Sequence, residues 1–351
     1  MKKIFAVFTV ILLLVVCQMS SPSISSAAEP EFTFTYADYA SPGYDQLNYI
    51  RHYIDRIGEE TKGRVEIKLY PAQQLVKALQ QYEAVMKGTI DMTSVTPVYF
   101  AGKIPMLLLT SESSYWRSAD NIVIVSRVAE TIEKILARDG IKFMGWSTEI
   151  SPVCLVGPKV FKELDDFKGM KIRAPGKASK LINLWGGTGV AIPASETYMA
   201  MQRKVVDGAF TGIGTALGSR LWEVTDCITF LPPGGTPQMV CMNMEKWKSL
   251  PDDIKKSFEK VNREMVPWAH NHAKNYVSGT EETLKKKFKK WHVRTDEEHE
   301  AFAKYSRGYI VGPVLKKFGE PAQKFWDKIL AVAKECEDAR KQGKTPRFFE
   351  D

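Results

Sequence analysis

Histidine and cysteine, the side chains behind most metal, redox and nucleophilic chemistry, are scarce here, with five of each among 351 residues. No CxxC pair and no HExxH, GxSxG, GxxxxGK[ST] or complete GxGxxG motif occurs. Zinc binding, thioredoxin-type redox, serine hydrolysis and nucleotide binding therefore lack the spacings their geometry needs. His270 and His272 form the one close histidine pair, but residues two apart on a helix point in different directions. The stretch Gly212-Ile213-Gly214-Thr215-Ala216-Leu217-Gly218 is spaced GxGxxxG and does not follow the first strand, so it reads as a loop running into a helix. Asp165-Asp166, just before Phe167-Lys168-Gly169, reads as a turn or cap. No catalytic residue, metal or cofactor is expected.

Long apolar runs are also missing beyond residue 28, which excludes a later membrane-spanning helix. The one long run, Ile4 to Val16, follows Lys2 and Lys3 and precedes the small-residue site Ser26-Ala27-Ala28. It is too short to span a bilayer, which takes roughly 20 residues. Residues 1–28 thus read as a cleavable secretory signal peptide, with a periplasmic product. Val16 is bulky where lipid attachment at Cys17 would need a small neighbour.

Removing that leader leaves 323 residues, enough for two domains of ordinary size, and takes the formal charge from +8 to +6 because Lys2 and Lys3 leave. The basic balance suits anionic partners. Lysines such as those from Lys285 to Lys290 lie along helical faces, however, and no nucleic-acid module accompanies them, so no nucleic-acid partner is expected. Cys154, Cys227, Cys241 and Cys336 are widely spaced. Cys154 and Cys241 fall in apolar strand-like runs and read as buried free thiols.

What the chain does have is alternation of strand and helix. Phe32 to Tyr36 alternates as a strand, a helix with Leu47, Ile50, Ile54 and Ile57 on one face stops near Gly63, and Val65, Ile67 and Leu69 alternate again. This is βαβ patterning, which predicts a largely parallel sheet. After a helix from Asn121 to Arg138 and a strand from Ile141 to Trp146, a second α/β series begins at Val153. The chain returns to the first domain at Met239 to Met242. A long helical stretch then runs to about Lys290, interrupted at Pro267 and Gly279. The expected division is residues 29–150 plus 239–278 for lobe 1, and 151–238 plus 279–351, including the C-terminal helices, for lobe 2. Tyr82, Ala84 and Asp91 repeat the spacing of Tyr198, Ala200 and Asp207, which suggests two similar halves.

One residue stands out chemically. Arg173 ends the short apolar strand of Gly169-Met170-Lys171-Ile172-Arg173-Ala174-Pro175-Gly176, directly before a turn. A guanidinium is costly to bury unless an anion meets it. Either the protein supplies that anion, for instance through Glu196, or a ligand does, and the pattern of residues leaves both open.

Read in order, "GRVEIKLYPAQQL" (Gly63 to Leu75), "MKGTIDM" (Met86 to Met92), "LDDFKGMKIRAPG" (Leu164 to Gly176), "IPASETYMAMQRKVVDGAF" (Ile192 to Phe210) and "MNMEKWKSLPDDIKK" (Met242 to Lys256) resemble the periplasmic solute-binding proteins of tripartite ATP-independent periplasmic (TRAP) transporters, the DctP type. The resemblance implies an α/β, two-lobed periplasmic-binding-protein fold, type II-like, with crossing strands, a long connecting helix and one ligand cleft between the lobes. It implies that Arg173 pairs with the carboxylate, or a sulfonate, of a small organic anion that a TRAP membrane permease then receives. On the same resemblance the pocket is lined by Tyr36, Thr96, Tyr99, Trp146, Phe210 and Thr211; a monomer is expected. The chain departs from sialic acid binders of the family at Thr96, Val153 and Thr211, and Arg203-Lys204 replaces the glycine usual before "VVDG", so a polyhydroxylated sugar acid is not expected. The alternatives are a ligand-sensing protein for a receptor, or an exported enzyme on the same scaffold.

Overall fold

The computed structural model describes residues 29–111, 120–147, 152–231, 237–306, 308–309 and 311–349. The expected signal peptide, residues 1–28, lies outside the described residues.

The first lobe is built on βαβ units. Strand β1 (Phe32–Ala37) leads into helix α1 (Asp45–Glu60), whose face of Leu47, Ile50, Tyr53 and Ile57 is buried. Thr61 closes that helix by donating its hydroxyl to the Ile57 carbonyl at 2.7 Å, and Gly63 takes the positive φ of the following turn. Strand β2 (Val65–Tyr70), helix α2 (Gln81–Met86) and strand β3 (Met92–Val95) follow, then helices α3 (Asn121–Arg127) and α4 (Ala129–Ala137) and strand β4 (Ile141–Ser147). The second lobe contains β5 (Val153–Gly157), β6 (Lys171–Ala174), α5 (Ser179–Leu184), β7 (Thr188–Ala191), α6 (Thr197–Gln202), β8 (Gly208–Gly212), α7 (Ile213–Gly218) and β9 (Cys227–Phe230). The chain then crosses back through β10 (Gln238–Asn243), α8 (Met244–Ser249) and the 36-residue helix α9 (Asp252–Lys287). Strand β11 (Lys290–Val293) and helices α10 (Asp296–Ser306), α11 (Val311–Phe318) and α12 (Glu320–Lys341) complete the described elements.

The strands form two sheets, ordered β2-β1-β3-β10-β4 and β11-β9-β5-β8-β6-β7. Both are largely parallel, with one strand reversed in each. β10 runs antiparallel to β3 and β4, and β5 runs antiparallel to β8 and β9. These are the strands by which the chain enters one lobe from the other, so they run against the local βαβ direction. Helix α9 belongs to both lobes: Ile254, Phe258, Val261, Met265 and Ala269 pack into the first core, and Leu284 packs into a core of the second.

Two expectations need correction. α9 is one continuous helix through Pro267 and Gly279. Proline removes one backbone donor, but buried neighbours Met265, Val266 and Ala269 hold the flanking turns in the core. The C-terminal helices were expected with the second lobe, yet Val311, Val314, Phe325, Trp326, Ile329 and Cys336 pack into the first core. Of the C-terminal elements only β11 and α10 join the second lobe, through pairing with β9 and burial of Phe302. The four cysteines among the described residues are buried and form no disulfide, as read for Cys154 and Cys241.

The repeat is visible in space. α2 and α6 are each followed by a residue at positive φ, Gly88 at 72° and Lys204 at 56°, and then by an aspartate. Asp91 Oδ2 accepts the Thr35 backbone N–H at 2.8 Å, and Asp207 Oδ2 accepts that of Lys171 at 2.8 Å. Each acid thus holds the neighbouring strand, β1 or β6.

Candidate functional site

Side chains alternate across a strand. Ile172 and Ala174 of β6 enter an apolar core with Phe161, Phe167 and Ile182, which turns Arg173 to the other face. Parallel neighbours β7 and β8 put their carboxyl ends beside it, the edge at which α/β sheets expose ligand sites. Arg173 is only 1% exposed. Its Nε donates to the Ile192 carbonyl at 2.8 Å and its Nη1 to the Phe210 carbonyl at 3.2 Å. Its Nη2 is buried and has no hydrogen-bond partner among the described residues. Glu196 is exposed, and among the described residues no carboxylate forms an ion pair with Arg173.

The guanidinium lines a small cavity between the lobes. From the first lobe come Tyr39, Thr96 and Tyr99; from the second come Phe210, Thr211 and Thr215, with Val153, Pro175, Ala194 and Gly212 completing the wall. The rings are braced. Tyr39 meets Tyr99 edge-on at 5.6 Å and 64°, and Phe210 meets Trp185 at 6.0 Å and 62°. Gln238 Nε2 donates to the Tyr39 hydroxyl, which lies 3.4 Å from Thr96 Oγ1.

Five of the seven residues expected at the site therefore surround one cavity: Arg173, Thr211, Phe210, Tyr99 and Thr96. Tyr36 and Trp146 do not. Tyr36 is paired on both sides within β1, and its hydroxyl bonds Ser94 Oγ at 2.8 Å inside the core. Trp146 lies on edge strand β4, packs on Phe143 at 5.1 Å, and lines a separate depression with Lys142, Glu259 and Asn262. The lining tyrosine is instead Tyr39, just past the carboxyl end of β1. The rule that sites lie outside strand ends, applied three residues beyond Tyr36, finds it.

Contacts across the cleft gather on one segment of the second lobe. The Ala194 N–H donates to the Tyr99 hydroxyl at 3.0 Å, and the Tyr44 hydroxyl donates to the Ala194 carbonyl at 3.1 Å and lies 2.8 Å from Ser219 Oγ. Gln73 Nε2 donates to Ser195 Oγ at 2.9 Å. Backbone also meets backbone. A Cβ on Gly218 would lie 2.5 Å from the Gly43 carbonyl oxygen, and one on Gly176 would lie 2.0 Å from that of Val98. Two glycines of the second lobe thus let its main chain seat directly on the first.

Residues 36–311 match the profile of the bacterial extracellular solute-binding proteins, family 7, also called DctP. The chain belongs to that family. It is 27% identical over 238 residues to a solute-binding protein of Albidiferax ferrireducens, covering 64% of this chain and 68% of the relative. It is 27% identical over 214 residues, 58% of each chain, to a monocarboxylate 2-oxoacid-binding periplasmic protein of Nostoc. Its fold is that of a TRAP periplasmic solute binding protein from Desulfovibrio salexigens solved with bound orotic acid, with a TM-score of 0.78 at 20% identity, covering 86% of this chain and 99% of that one. No described helix of this DctP-family protein is long and apolar enough to cross a membrane.

Proposed function

We propose that this protein is the periplasmic solute-binding subunit of a TRAP transporter, which captures a small organic anion between its lobes through Arg173 and delivers it to the membrane permease. The reading rests on one observation above all: a buried guanidinium that lines the cleft and whose Nη2 has no partner among the described residues. Leaving a buried donor unmet costs roughly 1–3 kcal/mol, more on a charged group, and a carboxylate or sulfonate oxygen removes that cost.

The Ile192 and Phe210 carbonyls fix the orientation of the fork, so the anion meets a positioned donor. Thr211 and Thr96 supply neutral hydrogen bonds beside it. Closure adds the Tyr44, Tyr99 and Gln73 contacts to the second lobe. The ligand gains contacts in the closed form that the open form lacks, and this differential affinity shifts the population towards a shape the permease distinguishes. The protein acts as a monomer and carries out no covalent chemistry. The Nostoc relative, named for 2-oxoacid monocarboxylates, and the neighbour holding orotic acid lend support, since both ligands present a carboxylate.

The test is a thermal-shift panel on the mature protein, unfolded and refolded to remove any carried ligand. Carboxylates and sulfonates are set against the corresponding neutral amides. Binding to the folded form raises the midpoint by mass action, so a rise confined to anions is expected. Equal rises from the amides would overturn the role given to Arg173.

A further inference from the structure

We infer that the cleft selects a compact anion with a single charge, whose other polar groups are neutral, and that it rejects both dicarboxylates and zwitterionic amino acids. The inference rests on the anion-binding reading of Arg173 and extends it to the rest of the ligand.

The argument is a charge count. Among the described residues lining the cavity, Arg173 is the sole ionisable group other than two tyrosines; hydroxyls, apolar side chains and backbone make up the remainder. A second carboxylate on the ligand would leave water for a wall that carries no second cation. An ammonium would need an acid, and among the described residues no Asp or Glu lines the cavity. The nearest acid along the chain is Asp38, next to Tyr39, and it is already engaged. It is fully buried, its Oδ1 accepts the Ala40 N–H at 2.7 Å, and Gln46 Nε2 donates to both of its oxygens at 3.0 Å. Burying a charge with no partner costs far more than burying a neutral polar group with one hydrogen bond. Discrimination against a second charge of either sign follows.

Size works in the same direction. Tyr39 is held by Tyr99 and Gln238, and Phe210 by Trp185, so the walls beside the small cavity are not loose side chains that can swing aside. Water cannot easily follow a second charge into a closed site with braced walls. The Thr96 and Thr211 hydroxyls can each meet a neutral oxygen on the ligand, such as an oxo, hydroxyl or lactam group.

The test uses two matched skeletons and isothermal calorimetry on the refolded mature protein. The four-carbon set is 2-oxobutanoate, 2-hydroxybutanoate, 2-aminobutanoate and succinate; the aromatic set is benzoate, 3-hydroxybenzoate and isophthalate. Within whichever skeleton binds, the singly charged member is expected to bind at least about 100-fold tighter than the member carrying a second charge. Comparable or tighter binding of succinate, isophthalate or 2-aminobutanoate overturns this inference. If that binding also disappears in Arg173→Ala, the anion reading survives and only the charge count is wrong. If no member of either set binds and native mass spectrometry of the protein as purified reveals a neutral ligand, both fail; a multiply charged anion there would overturn this inference alone.

Discussion

Each lobe buries a charge that has no oppositely charged partner among the described residues, and the two sites are finished differently. In the first lobe Asp38 is 0% exposed and collects donors from its own surroundings: the Ala40 amide and both of its contacts with Gln46. In the second, Arg173 is bound by two carbonyls and keeps one nitrogen unmet at the lobe boundary. A buried charge completed within its lobe organises that lobe. One left incomplete where two lobes meet asks for something from outside. The repeat shared by the lobes makes the contrast sharper, since Asp91 and Asp207 do the same structural task in both.

The largest effect expected from this comparison concerns Asp38. Burial, opposed by hydrogen bonds from Ser94, Ala40 and Gln46, pushes its pKa up from 3.8 to about 6. The folded state therefore holds a proton that the unfolded state has released between about pH 4 and 6. The contribution of this group to stability falls as pH rises through that window, by about 3 kcal/mol in total, and is level above it. Urea unfolding of the wild type and Asp38→Asn at pH 4, 5, 6 and 7 should show a difference that changes by about that amount. A constant difference would mean that Asp38 is not held as described.

Next comes the seam between the lobes. A Cβ at position 218 would lie 2.5 Å from the Gly43 oxygen and 2.8 Å from Tyr44 Cδ1. Gly218→Ala should therefore hold the lobes apart, lowering ligand affinity by about 2 kcal/mol, roughly thirty-fold, with little change in the unfolding midpoint of the unliganded protein. Small-angle scattering with saturating ligand should give a larger radius of gyration than the wild type. Equal radii and equal affinities would remove Gly43 and Gly218 from the closing surface.

The smallest effect sharpens the repeat. At equivalent turns the first lobe has Gly88 and the second has Lys204, both at positive φ. A side chain there costs roughly 1 kcal/mol that glycine avoids, so Lys204→Gly should stabilise the protein by up to about that amount with unchanged affinity. A loss of stability would mean that the lysine side chain makes a contribution outweighing its backbone strain.

Much of this was legible in the sequence, for physical reasons that also set the limits. Arg173 stands out because a guanidinium at the end of an apolar strand needs an anion, but the choice of a ligand as that anion, and the placing of Thr96, Tyr99, Phe210 and Thr211 beside it, come from the family resemblance rather than from the residues alone. Tyr39 escapes the sequence because the visible alternation stops at Tyr36, and a period-two pattern does not mark its own last residue. The antiparallel β5 and β10 were hidden because a fully buried strand reads alike in either direction. Helices α11 and α12 are amphipathic, but an apolar stripe does not state which of two cores it covers, and both cover the first.

The central claim is that the unmet nitrogen of Arg173 is completed by the ligand. Its most direct measurement is the calorimetric dissociation constant of the best anion from the panel for the wild type and for Arg173→Ala, with far-ultraviolet circular dichroism confirming that both are folded. The account predicts a folded variant whose affinity is at least about 100-fold weaker, from the loss of charge-assisted hydrogen bonds. A folded variant that binds the anion as tightly as the wild type would contradict it.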